Sequence, residues 1–243
     1  MPVDRLLDIF ELMARRGAPI SEAVTLCGVA AKYIGVTGAG IAIQPSGGHI
    51  ATLCTSDGLA KELMEIEQTV GEGPCVQACS SERAVAASDL FGSPGPTWVT
   101  YAPLAHAAGA RAVFGYPVRI GAIRLGALSL YTDQIGSLSE VQSSDAYLMS
   151  SVVGRAVLAM QGGSGSGAIV DELRREGTFD FTVHEAAGMV AAQGRIPVGD
   201  ALVRLRAHAY ATDTTASSLA RRVLARHTVF DGASEEWREM RAS

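Results

Sequence analysis

Residues 110–131 read ARAVFGYPVRIGAIRLGALSLY: two strand-like runs, Ala110–Arg119 and Ala122–Tyr131, joined through Ile120 and Gly121. Aliphatic and aromatic residues interrupted by a glycine-bearing connection predict a hairpin at the centre of a sheet. Upstream, Ala84–Ala87 carries a further strand signal. So do Gly38–Ile43 and His49–Cys54, which are separated by the turn formers Pro45, Ser46, Gly47 and Gly48. Apolar residues recur every three or four positions in Val3–Arg15, Ile20–Ile34 and Leu59–Gln68. A longer helical pattern, Leu138–Met160, follows the hairpin. Strands set between flanking helices predict an α+β domain with a largely antiparallel sheet.

The helical pattern runs into Gly162-Gly163-Ser164-Gly165-Ser166-Gly167, a stretch that neither packs nor holds a helix without a large entropy cost. It reads as a linker. The chain is thus divided into residues 1–161, a mixed domain opening with an N-terminal helix; 162–167, the linker; 168–230, a helical domain; and 231–243, a tail.

Past the linker no sustained β-branched alternation occurs. Val183–Gln193 reads as a helix stopped by Gly194 and Pro197. A second helix starts at Val198, with Ala201, Leu202, Leu205 and Ala209 on one stripe and Arg204, Arg206 and His208 off it. Thr212–Thr215 breaks that helix and supplies hydroxyl caps for a third. Leu219, Ala220, Val223 and Leu224 form the buried stripe of this third helix, leaving Arg221, Arg222 and Arg226 outside it. Gly188 is expected where two helices pack closely.

Composition narrows the function classes. The 243 residues are 48% hydrophobic with a net charge of -5. Between Arg174 and Phe230, however, eight arginines face five acidic residues, and His184, His208 and His227 lie there too. A basic helical module in an acidic chain suits a polyanionic partner. No run approaches the roughly 18 apolar residues of a membrane span, and the charged N-terminus is unlike a secretion signal. A cytoplasmic protein without a membrane partner is expected. Four cysteines, Cys27, Cys54, Cys75 and Cys79, read as buried free thiols. Cys75 and Cys79 lack the spacing and the additional ligands of a zinc site, so no metal is expected. No phosphate loop, His-Glu metal run or nucleophile elbow is present, and the chain is not expected to be an enzyme.

The first domain carries Gly71-Glu72-Gly73-Pro74-Cys75, Ser88-Asp89-Leu90, Gly109–Phe114 leading into Tyr116-Pro117-Val118, and Gly126–Tyr131. In this order and spacing they resemble the GAF domains of actinobacterial regulators over residues 18–161. The resemblance implies a sensor or dimerisation module with room for a small-molecule ligand. No residue identifies that ligand as a nucleotide, haem or flavin, so the cofactor is unknown. Cys75, Asp89, Trp98, Tyr101 and His106 are the candidate ligand-binding residues; the plainer reading of each is packing or turn capping. Cys75 near a helix start is also a candidate redox thiol, opposed by Glu72.

The second domain carries Ala186-Ala187-Gly188-Met189, Gln193, Asp200-Ala201-Leu202, Arg204–Ala207 and Leu219-Ala220. These resemble the ANTAR domain of transcription antitermination regulators over residues 172–228. That resemblance implies binding to a tandem hairpin in a nascent transcript, and hence a homodimer, with Leu138–Met160 available as its seam. Arg195, Arg204, Arg206, His208, Arg221, Arg222 and Arg226 are the candidate RNA-binding residues. The sequence departs from the family pattern at Ala187, Pro197 and Thr214, where polar, capping or basic residues are usual. Alternatives are a DNA-binding helix-turn-helix regulator and a protein-interaction signalling module.

Overall fold

The structure is a computed structural model describing residues 23–44, 50–92, 98–162 and 182–240. It separates into two compact units, one grouping residues 1–67 and 72–179 and the other 68–71 and 180–243. The expected helix Val3–Arg15, the turn Pro45–Gly48 and the linker residues 163–167 lie outside the described residues.

In the first unit, α1 (Ala23–Ile34), β1 (Gly38–Ile43), β2 (Ala51–Thr55), α2 (Gly58–Val70, of which residues 68–70 are grouped with the second unit), α3 (Pro74–Ser81) and β3 (Val85–Ala87) precede α4 (Tyr101–Ala108). Then come β4 (Ala112–Ile120), β5 (Ile123–Thr132) and α5 (Glu140–Gly162). The strands form one sheet in the order β2-β1-β5-β4-β3, every pairing antiparallel. The β4–β5 hairpin is flanked by a strand on each side, as its apolar character requires. Gly162 is helical, so the helix takes in the first residue assigned to the linker, and α4 is a helix that the sequence reading did not anticipate.

Period-2 alternation assigns the two sheet faces. Phe114, Tyr116 and Val118 of β4 join Leu128 and Leu130 of β5 in a core with α1 and α5. Leu125 belongs to the same core despite its odd position. Val118 pairs with Gly126 and Arg119 with Arg124, so Leu125 is the extra residue of a β-bulge that resets the alternation. The opposite face is built from small residues. A Cβ on Gly115 would lie 2.2 Å from the Pro74 carbonyl oxygen, which shows how closely α3 approaches the sheet. There Cys75, Ala78 and Cys79 of α3 pack with Met64 of α2, Ala42 of β1 and Ala127 of β5.

Cysteine pairing corrects the expectation of free thiols throughout. Cys27 of α1 and Cys54 of β2 form a disulfide with their Cα atoms 6.2 Å apart, while Cys75 and Cys79 are free and buried. The paired cysteines stand 27 positions apart and meet only once α1 lies on β2, a tertiary event that sequence spacing does not reveal.

The second unit comprises α6 (Thr182–Gly194), α7 (Val198–Ala211) and α8 (Ala216–Leu224), then β6 (Thr228–Asp231) and β7 (Glu236–Glu239). The stripes Ala201, Leu202, Leu205, Ala209 and Leu219, Ala220, Val223 are buried together with Ala186 and Val190. Thr215 caps α8 by accepting the Ser218 N–H, whereas Pro197 offers α7 no side-chain cap. Residues 228–239 form an antiparallel hairpin, so the expected wholly helical segment with a tail from 231 is corrected. Phe230, 3% exposed, roots this hairpin in the helical core. Gly188 is corrected too: an added Cβ meets nothing within 4 Å.

Gly115→Val should therefore lower stability by about 3 kcal/mol through overpacking, and Gly188→Ala should raise it by about 0.5–1 kcal/mol by stiffening α6. Urea unfolding of both variants checks the contrast. Replacing Cys27 and Cys54 together with serine should cost about 3 kcal/mol under oxidising conditions, and wild type with added reductant should approach the same midpoint.

Candidate functional site

The candidate ligand-binding residues of the first unit fall into three places. Cys75 and Tyr101 are completely buried, and Trp98 nearly so. Trp98 meets Tyr101 edge-on at 5.7 Å, and the Glu72 carboxylate accepts the N–H groups of Thr100 and Tyr101 at the start of α4. Asp89 accepts the Phe91 N–H at 3.0 Å, a turn-forming role. His106 stacks obliquely on Phe91 with ring centroids 4.3 Å apart. Trp98, Tyr101 and Cys75 thus belong to packed interior, while Asp89 and His106 serve the segments around α4.

At the heart of that interior lies a residue that the sequence reading passed over. Glu67, 1% exposed, ends the buried stripe of α2, and its Oε1 accepts the Val76 N–H at 3.0 Å. The carboxylate thereby sits at the start of α3, where Gly73 supplies no side-chain cap and an added Gly73 Cβ would strike Glu67. Burial pushes the carboxyl up to about 8, opposed by the N–H groups of Val76 and Cys75, so it carries a proton at neutral pH. The signal was present in the sequence: Ala60, Leu63, Met64 and Glu67 share one helical face. A carboxyl in such a stripe marks a buried ionisable group.

Cys75 is the correction here. Burial first, then the charges of Glu67 and Cys79, raise its thiol well above the ordinary range, and burial likewise pushes Cys79 up to about 12. Neither forms a thiolate at neutral pH, which removes the basis for a redox thiol.

In the second unit the candidate residues are unequally available. Arg195 and Arg226 are exposed at left-handed backbone positions, φ 53° and 58°, following α6 and α8. Arg221 is exposed on α8 and Arg206 half-buried on α7. The remaining three meet the C-terminal hairpin. Arg204 pairs with Glu235 at 3.0 Å and lies 5.9 Å from the centre of the Phe230 ring. Arg222 pairs with Glu239, and His208 stacks on Trp237 at 4.7 Å with ring planes only 13° apart. Burial holds the His208 imidazole below its usual range. Gln193 fixes the hairpin by accepting the Phe230 N–H at 3.1 Å. Ala187, one of the departures noted above, is core. Among the described residues no cluster of three or more His, Cys, Asp or Glu side chains is arranged to hold a metal ion, and no helix is long and apolar enough to cross a membrane.

Glu67 gives a signed pH prediction. Its folded pKa lies above the ordinary carboxylate value, so the folded state binds the extra proton. Its contribution to stability declines as pH rises from about 4.5 towards 8 and is flat above that. Glu67→Gln should raise the melting temperature at pH 8 by a few degrees, leave it little changed at pH 4.5, and flatten the slope between. Thermal melts across that range read the difference.

No family model matches the chain, and no curated protein does. Solved structures do match. The GAF domain of a phosphoenolpyruvate-protein phosphotransferase from Coxiella burnetii aligns with 67% of this chain and 98% of its own, at 13% identity and a TM-score of 0.52. The corresponding GAF domain from Acinetobacter aligns with 68% and 99% at 11% identity, with a TM-score of 0.48. Resting on the first of these and on the strand order β2-β1-β5-β4-β3 with helices on both faces, the N-terminal unit has a GAF-like fold.

Proposed function

We propose that the protein is a non-enzymatic transcription antitermination regulator of the GAF-and-ANTAR kind, whose GAF-like unit senses or dimerises and whose C-terminal helices bind paired RNA hairpins. The observation carrying this reading is the set of arginines on α7 and α8, Arg204, Arg221 and Arg222, with His208 on the same helix as Arg204, on a compact helical unit within an acidic chain. Guanidinium groups suit phosphate binding and stacking on splayed loop bases. The resemblance of residues 172–228 to ANTAR domains supplies the RNA class, and a tandem hairpin calls for two copies of the unit, hence a homodimer.

Arg204 and Arg222 already hold Glu235 and Glu239, so an incoming phosphate must replace a carboxylate. Exposed ion pairs are worth only about 0.2–1 kcal/mol each, a barrier that several phosphate contacts readily exceed. A second reading, a protein-interaction module, is favoured by Val203 and Tyr210, large exposed apolar residues two turns apart on α7.

Titration of the full-length protein with tandem-hairpin RNA and with duplex DNA of matching length, each across a salt series, tests the reading. RNA should bind preferentially. Arg221→Ala with Arg222→Ala should weaken binding and flatten its salt dependence. Glu235→Gln with Glu239→Gln should tighten it about two- to tenfold. Preference for duplex DNA would select a helix-turn-helix regulator. No binding to either, with Val203→Asp abolishing a protein contact, would select the interaction module.

A further inference from the structure

A groove of about 720 Å³ lies beside α5 in the GAF-like unit, within the range of small-molecule sites. Its walls come from the turn after α3 (Glu82, Arg83), from β4 (Pro117, Arg119), and from α5 (Tyr147, Ser150, Ser151). Its lining shares no residue with the Glu67–Cys75–Tyr101 interior between α3 and the sheet.

Charge is unbalanced there. The lining carboxylate, Glu82, is held by Arg124 at 3.0 Å, a residue that stands opposite Arg119 in the β4–β5 register. Arg83 and Arg119 are exposed and line the groove without an acidic partner among its walls. In a chain of net charge -5, two guanidinium groups facing one hollow with the local carboxylate already engaged form a site for an anion. Arginine's planar fork favours an oxyanion that accepts several hydrogen bonds, such as a phosphate.

The third wall is aromatic. Tyr147 is 52% exposed, and Tyr116 braces it edge-on at a centroid distance of 5.0 Å. Tyr116 is itself tied to α5 through Ser143 at 3.0 Å. A braced, exposed ring is a ready stacking surface at small entropic cost. The Ser150 and Ser151 hydroxyls are committed as donors to the backbone oxygens of Ala146 and Tyr147, Ser150 buried and Ser151 exposed.

We propose that this groove binds a small phosphomonoester bearing a planar ring, the phosphate between Arg83 and Arg119 and the ring against Tyr147. Its residues are distinct from those proposed to bind RNA.

Calorimetric titration of the full-length protein with AMP, UMP and phenyl phosphate tests it, with adenosine and inorganic phosphate as partial ligands. At least one ringed phosphate should bind more tightly than either partial ligand. Arg83→Ala with Arg119→Ala should weaken that binding at least tenfold, and Tyr147→Ala should bring the affinity down to that of inorganic phosphate. Arg221→Ala with Arg222→Ala should leave it unchanged, separating this site from the RNA surface. Both groove arginines are exposed, so matching circular dichroism melts will show that their loss spares the fold. A flat titration to about 5 mM, weaker than roughly 3 kcal/mol of binding, would overturn the proposal. So would binding that survives loss of both groove arginines, or that moves with Arg221 and Arg222.

Discussion

The seating of α3 on the sheet is the constraint on which the GAF-like unit depends. It requires a missing side chain at Gly115, whose Cβ would meet the Pro74 carbonyl at 2.2 Å. It also requires a partner for the free N–H groups at the start of α3, because Gly73 has no cap to give. Glu67 supplies that partner from the last turn of α2. Once α3 is so close, Cys75 and Cys79 are sealed from solvent, and the interior between helix and sheet is filled by packing. The close approach that makes the fold thus makes its cysteines inert.

The bulge at Leu125 has a parallel effect on the other face. By resetting the alternation of β5 it lets Leu125 and Leu128 serve one core, against which α5 lies. The sheet is consequently committed on both sides. The groove beside Tyr147 sits where α5 passes the end of β4 and the turn after α3, at the margin of the packed layers.

Much of the architecture was legible because it rests on local periodicity. The β4–β5 hairpin, α2, α5 and the three C-terminal helices follow patterns of two or 3.6 residues long enough to read. Features of four residues or of tertiary origin escaped. Thr228–Asp231 and Glu236–Glu239 are too short to show alternation, although together they reposition the surroundings of Arg204, His208 and Arg222. The Cys27–Cys54 pair exists only after α1 packs on β2. Glu67 was legible in principle, as a carboxyl within an apolar stripe, but its glycine-rich neighbour drew the reading to Cys75. The candidate pocket residues dispersed because aromatic identity indicates burial more directly than it indicates which cavity, if any, a ring lines.

The helical unit joins basic side chains to a hairpin that offers carboxylates and a stacked indole, the same chemistry that RNA would offer. Fluorine NMR of protein labelled with 5-fluorotryptophan reports on this directly, since Trp98 lies in the GAF-like unit and Trp237 on His208. On addition of tandem-hairpin RNA, the Trp237 resonance should shift while the Trp98 resonance holds its position. RNA that binds without moving Trp237, or no RNA binding at all, would contradict the assignment of this surface.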